Sequence, residues 1–221
     1  MQIAQERTQS REGNTELPDY YACVAEDVIR MCKPKPGDWL DIGCGAGPLS
    51  KALAKRSAAS RFFLMDPDAG ALAKARDAVQ QHREEHRFRF IEGIAESIPQ
   101  PSKSIHLVVS RGSIFFWECQ PMGIREIYRV LRPGGAAMLG GGLGSTYPLW
   151  ARKEFIRRQR ENTRKRSKAA MDAFRAARSP DAFRNWATQG GIRDFEVIGE
   201  GGLGEDDPET GLGVWLIFRK G

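Results

Sequence analysis

Apolar positions along the chain change period several times, and each change marks an element. From Pro18 to Cys32, the residues Tyr21, Val24, Val28 and Met31 recur at steps of three and four. That spacing puts them on one face of a helix. Pro34, Pro36 and Gly37 end the run, because proline lacks an amide donor and restricts the residue before it. Short apolar runs of strand type then appear at 38–43, 61–66, 88–93, 105–110 and 136–141. Between several of them lie helix-spaced sets: Leu49, Leu53 and Ala54; Ala71, Leu72, Ala75, Ala78 and Val79; Ile124, Ile127, Tyr128 and Leu131. Strand and helix alternating every 20–30 residues or so predict parallel βαβ units. Right-handed crossovers place their helices on both faces of one sheet.

The rhythm breaks after the fifth run. Gly140, Gly141, Gly142 and Gly144 open the stretch that ends at Trp150, and permit close backbone approach or lid movement. Ser179 and Pro180 read as a cap and a first helical residue. Ala182, Phe183, Trp186 and Ala187 form the stripe of that helix, and Gly190-Gly191 ends it. Two strands follow, 194–200 and 213–220, separated by a loop with no helix, so they are expected to be antiparallel. The fold class is thus α/β: a doubly wound sheet of five parallel strands followed by a terminal hairpin. Residues 1–17 read as a polar, mobile arm, 18–221 as one domain, and about 145–178 as a basic helical insertion.

Charge changes this picture only locally. The chain carries a formal +6. Residues 151–178 hold eleven basic and three acidic side chains, a net +8, which leaves −2 for the other 193 residues. A uniformly basic nucleic-acid binder is disfavoured. The insertion reads either as a solvated face or as a cap that draws an anionic substrate or RNA by its field. Its centre has no interleaved aromatics, which weakens base stacking. The four cysteines, Cys23, Cys32, Cys44 and Cys119, form no CxxC pair and no zinc spacing, so no metal is expected. No secretory leader and no membrane span is read, and a reduced, cytoplasmic setting is the expectation.

The chemistry is concentrated in WLDIGCGAGPLS (39–50), which runs from a strand through Gly43, Gly45 and Gly47 into a helix. Such a turn lets a ligand approach bare main chain at a helix N-terminus. A dinucleotide loop has the spacing GxGxxG; here the sixth position is Pro48, which also removes one amide donor, so a diphosphate fits poorly. Asp66 ends the next strand, 23 residues after Gly43. A carboxylate there can accept hydrogen bonds from both hydroxyls of a ribose. By itself it could equally cap the following helix.

These residues, together with GIAESIP (93–99), VVSRG (108–112) and REIYRVLRPGG (125–135), resemble the class I S-adenosylmethionine-dependent methyltransferases of the small methyltransferase-domain superfamily. The resemblance is close over about 18–142 and looser in the hairpin. It implies a Rossmann-like seven-stranded sheet with one antiparallel strand, and S-adenosyl-L-methionine as cofactor. It further implies that the backbone of Gly43, Cys44, Gly45 and Gly47 holds the methionine portion, supported by Asp41. Asp66 would bind the ribose, Pro67 would pack near the adenine, and Ala95 and Glu96 would lie along the adenine edge. Ser110 and Arg111 would border the sulfonium, with Tyr20 or Tyr21 closing the pocket. Many relatives carry Asp where Ile94 stands and Asp where His106 stands; the first loss leaves Glu96 or backbone to meet the adenine amine, and the second falls at the strand's amino end, where a structural role is expected.

No catalytic residue is assigned, since a methyl on a cationic sulfur chiefly needs an aligned nucleophile and exclusion of water. Glu118 is the one general-base candidate. The turn SRGSIFFWE (110–118) lacks the Asn/Asp-Pro-Pro-aromatic pattern of exocyclic-amine methylases, and Cys119 in ECQP lacks the setting of a cytosine-C5 nucleophile. Phe115, Phe116 and Trp117 are candidate acceptor-lining residues, or else a helix-packing cluster. The sequence therefore points to methyl transfer onto a small molecule, with an anionic one among the candidates. Kept beside it are an RNA or protein methyltransferase docking through 151–178, and a cofactor-binding regulatory protein without turnover; an NAD-dependent dehydrogenase is more distant.

Overall fold

The computed structural model describes residues 16–80, 85–163, 167–199 and 211–221. Its strands are β1 (Asp38–Ile42), β2 (Arg61–Asp66), β3 (Phe88–Glu92), β4 (Ile105–Arg111), β5 (Leu131–Gly141), β6 (Phe195–Ile198) and β7 (Val214–Arg219). The helices are α1 (Tyr20–Cys32), α2 (Pro48–Ala54), α3 (Ala69–Gln80), α4 (Gln120–Val130), α5 (Leu149–Thr163), α6 (Lys168–Ala176) and α7 (Pro180–Gln189). One seven-stranded sheet has the order β3-β2-β1-β4-β5-β7-β6. The first five strands are parallel to one another, and β7 is antiparallel to both β5 and β6. The expected α/β class, hairpin and single antiparallel strand are all present.

Alternation within buried strands builds two cores. In β1, Trp39 faces a cluster with Val24, Val28, Leu53, Phe62 and Leu64, while Leu40 and Ile42 face one with Val108, Ile124, Ile127 and Phe183. Both faces are covered by helices, so the central strands are apolar at nearly every position rather than at every second one. A third, smaller cluster joins Leu143, Tyr147 and Ala151 to Leu17, Tyr20 and Phe155. It fastens the start of α1 to the start of α5. Leu17 is thus part of the packed domain, although the expected arm 1–17 assigned it to mobile chain; residues 1–15 of that arm lie outside the described residues.

Two boundaries differ from expectation. Leu131, read as helical from its spacing to Ile127, is the first residue of β5, which begins there and not at residue 136. It pairs with Ile105, and the register then shifts before Leu107 pairs with Ala136. The Arg132-Pro133-Gly134-Gly135 segment fills that irregularity, and periodicity does not reveal a strand that carries one. The basic insertion is two helices, with Ser167 capping the second by accepting the Ala170 amide. His106 sits as expected at the amino end of β4, where its Nδ1 accepts the Asp38 amide at 3.0 Å.

Candidate functional site

Strand order reverses between β1 and β4, the two strands that begin the opposite halves of the sheet. A crevice opens beyond the carboxyl ends of strands at such a point. Here the crevice has a volume of about 560 Å³, and its wall includes Ile42 and Gly43 from the end of β1, Asp66 and Pro67 from β2, and Arg111 from β4. The turn after β3 adds Ile94, Ala95 and Glu96, and the turn after β4 adds Ser113, Phe116, Trp117 and Glu118.

The glycine loop is shaped by backbone. Gly43 has φ +65° and Gly47 has φ +74°, a region L-residues enter at a cost of about 1–2 kcal/mol. A Cβ on Gly43 would overlap the Ser113 side chain, so this turn of β1 can lie against the turn of β4 only with glycine there. The Gly43 and Cys44 amides both donate to the Met65 carbonyl. Gly45 donates to Asp66 Oδ2 at 2.9 Å, and Asp68 donates to Asp66 Oδ1 at 3.0 Å. The loop is thereby tied to the end of β2. Below it, Asp41 is buried and accepts the Ser50 hydroxyl at 2.7 Å. Burial pushes its pKa up to about 6, and the neighbouring Asp66 adds to the rise. Burial also pushes the Cys44 thiol up, so Cys44 behaves as a small apolar residue.

Arg111 joins three elements. Its Nε donates to the Gly142 carbonyl at 2.9 Å, and its guanidinium lies 4.3 Å from the Tyr20 ring centre and 4.9 Å from that of Tyr21. Burial, and then the contact with Tyr20, push the Tyr21 phenol above the ordinary tyrosine range, so it stays protonated. Arg111 and Gly112 also belong to the wall of a second cavity of about 420 Å³, enclosed by the end of β5, α5, the α6–α7 turn and the start of β7.

The sequence candidates divide accordingly. Gly43, Asp66, Pro67, Ala95, Glu96 and Arg111 line the crevice. Asp41, Cys44, Gly45 and Gly47 stand behind that wall and shape the loop; Tyr21 packs on Arg111, not on the crevice itself. Ser110 is fully buried, with its hydroxyl 2.6 Å from that of Ser113. Phe115, Phe116 and Trp117 do not act as one cluster. Phe115 turns into the second cavity, against Phe183, while Phe116 and Trp117 edge the first. Glu118 is exposed at the rim. Glu96 spends Oε1 on the Cys119 amide at the head of α4.

Ser113 escaped sequence reasoning. Its hydroxyl donates to the Ile42 carbonyl and accepts from Trp117 Nε1, which locks the two switch-point turns together. A lone serine after a strand gives no periodic signal, and only the space denied to a Gly43 side chain reveals it.

Residues 40–135 match the methyltransferase domain family. A structure from Methanococcus maripaludis, assigned as an S-adenosyl-L-methionine-dependent methyltransferase, matches with a TM-score of 0.71 and 31% identity, covering 91% of this chain and 85% of that one. This chain belongs to the S-adenosyl-L-methionine-dependent methyltransferases. A rice chloroplastic 2-methyl-6-phytyl-1,4-hydroquinone methyltransferase is 36% identical over 110 residues, 50% of this chain and 32% of that protein. The malonyl-[acyl-carrier protein] O-methyltransferase of Pectobacterium atrosepticum is 30% identical over 123 residues, 54% of this chain and 46% of that protein. The chain therefore spans less than half the length of these two curated relatives.

S-adenosyl-L-methionine is the cofactor, and it supplies an electrophilic methyl on a cationic sulfur. The methyltransferase crevice fits that group. Asp66, Glu96 and Glu118 set three carboxylates against the single guanidinium of Arg111, and Pro48 at the first position of α2 offers no amide. Such a wall favours a cation and an uncharged sugar over a diphosphate. Among the described residues no cluster of metal-ligating side chains occurs, and no helix is long and apolar enough to cross a membrane.

Proposed function

We propose that the protein transfers a methyl group from S-adenosylmethionine to a small molecule with an apolar body. The single observation that carries this reading is the Asp66 carboxylate. An ionised carboxylate has about four acceptor positions. Gly45 and Asp68 occupy one on each oxygen, which leaves one on each for a ligand in the crevice that Asp66 helps to line. Two vicinal hydroxyls of a ribose match that pair.

The other roles follow from position. The main chain from Gly43 to Gly47 lies beside the methionine portion, with Asp41 supporting it from below. Pro67 and Ile94 supply apolar cover for the adenine. Ala95 lies at its edge, and the Glu96 oxygen left over from Cys119 replaces the Asp that Ile94 displaces. Arg111 stands where the two cavities meet, beside the reacting centre. A small-molecule acceptor, a hydroquinone, appears in the name of one relative above and a carrier-bound malonyl group in that of another, and a cavity of about 420 Å³ next to the crevice is of the size that small ligands fill.

Docking of RNA through the insertion has less support. Arg152 is buried and gives its guanidinium to the Tyr147 and Ser145 carbonyls, while Arg157 and Arg158 pair with Glu154, and Arg157 also with Glu161. Arg152 is thus committed to the fold, and Arg157 and Arg158 to carboxylates of the same helix.

Calorimetric titration with S-adenosylhomocysteine and, separately, NAD tests the site. Saturable binding of the first and none of the second is expected. Incubation with methyl-labelled cofactor and fractionated extract then tests turnover. Label in a small-molecule fraction is expected; label in RNA, lost on neutralising Arg164, Lys165 and Arg166, would overturn the acceptor class, and binding without any labelled product would leave a regulatory protein.

A further inference from the structure

Among the described residues, the two cavities that meet at Arg111 have walls of opposite charge. Three carboxylates and one guanidinium line the cofactor crevice. In the second cavity Arg175 and Arg178 join Arg111, and among the described residues no carboxylate lines it. The remaining wall is mostly apolar side chain, such as Phe115, Leu143 and Ile156, or bare glycine backbone, with Gln159 and Ser179 as its uncharged polar members. The Arg178 guanidinium lies 3.8 Å from the centre of the Phe115 ring, which places a cation on the apolar wall.

We propose that the second cavity holds the methyl acceptor and selects a molecule that joins an apolar body to an anionic group, a carboxylate or another oxyanion. This rests on the methyltransferase reading above and specifies its acceptor. A guanidinium recognises an oxyanion through paired, charge-assisted hydrogen bonds, and the attraction strengthens as water is excluded. A cationic acceptor is repelled by three arginines, and a neutral one makes no charge-assisted contact with them. The same wall holds no Asp, Glu or His among the described residues. An acceptor that arrives already ionised has no need of a base there. Arg111 belongs to both walls and faces the cofactor side as well; Arg175 and Arg178 line only the acceptor side, and are therefore the selective pair.

Two dyes that share one aromatic body test the charge preference directly. 8-Anilinonaphthalene-1-sulfonate carries an anionic group, and N-phenyl-1-naphthylamine lacks it. Fluorescence titration of the whole protein is expected to give one sulfonate-dye site, bound about tenfold or more tighter than the neutral dye. Replacing both arginines, Arg175→Gln with Arg178→Gln, is expected to remove that preference while leaving neutral-dye affinity within about twofold; Arg175→Lys with Arg178→Lys retains most of it. Equal affinity for the two dyes in the wild type, or unchanged sulfonate binding in the Gln pair, overturns the proposal. Should the Gln pair fail to fold, Arg175→Gln alone carries the test, since Arg175 is exposed on α6; a smaller loss of sulfonate affinity supports the proposal and no loss overturns it. S-adenosylhomocysteine titrated into the same samples separates the two readings. Its failure to bind the wild type overturns the methyltransferase site, whereas normal cofactor binding with no dye preference overturns only the acceptor class.

Discussion

Asp66 and Gly45 hold each other: the carboxylate at the end of β2 accepts the loop amide at 2.9 Å, so the proposed sugar site and the glycine loop form one hydrogen-bonded unit. Asp66→Ala removes both the proposed ribose contact and this tie. Its expected cost is about 1–3 kcal/mol of cofactor binding, read by calorimetry with S-adenosylhomocysteine. Asp66→Asn keeps one acceptor oxygen without the charge and is expected to lose less. An unchanged affinity in the alanine variant would place the sugar elsewhere.

Gly43 and Ser113 compete for one volume. Gly43→Ala adds a Cβ that overlaps Ser113 at a φ of +65°. The expected destabilisation is about 2–4 kcal/mol from left-handed strain and overpacking together, measured by urea unfolding. Ser113→Gly in the same chain removes the overlap and leaves the strain, so the double variant is expected to recover part of the loss. Equal stability of single and double variants would show that the clash is relieved by movement.

The buried Asp41 makes stability pH-dependent in an unusual direction. Its folded pKa of about 6 lies above the unfolded value of roughly 3.9. The native state therefore binds more protons between these values, and this residue's contribution falls as pH rises through that window. Relative to wild type, Asp41→Asn is expected to gain on the order of 2–3 kcal/mol between pH 4 and 7, and no more above it. A flat difference in unfolding free energy across that range would show that Asp41 ionises freely.

Two arginines five residues apart in the insertion are expected to behave oppositely. Arg152 is buried and holds two carbonyls, so Arg152→Met leaves them without that donor at an expected cost of about 2–4 kcal/mol. Arg157 lies on the surface, and Arg157→Gln is expected to leave stability nearly unchanged. Thermal unfolding of the two variants side by side decides it.

Much of the fold could be read from spacing because buried parallel strands and one-sided helices write strong periods. Trp39, Leu40 and Ile42, Phe62 to Met65 and Leu107 to Val109 are apolar for the same reason, a helix on each side. The start of β5 was not legible, since the Arg132–Gly135 irregularity carries no alternation. In the site, Asp66 and the loop announced themselves by residue type and separation. What Phe115 and Phe116 do was hidden, because adjacent aromatics look alike in sequence while a single turn sends one into each cavity. The stacking of Arg111 on Tyr20 and Tyr21 was equally hidden, depending on contacts about ninety positions apart.

Arg111 is a party wall. Any ligand that tilts this guanidinium while settling into one chamber alters the lining of the other, and thermodynamic reciprocity then obliges the second ligand to act back on the first by the same factor. On the proposed assignment of the two cavities, donor and acceptor thereby acquire a means of sensing each other's arrival through a single side chain, with the paired tyrosines of α1 and the Gly142 carbonyl setting how far it can swing.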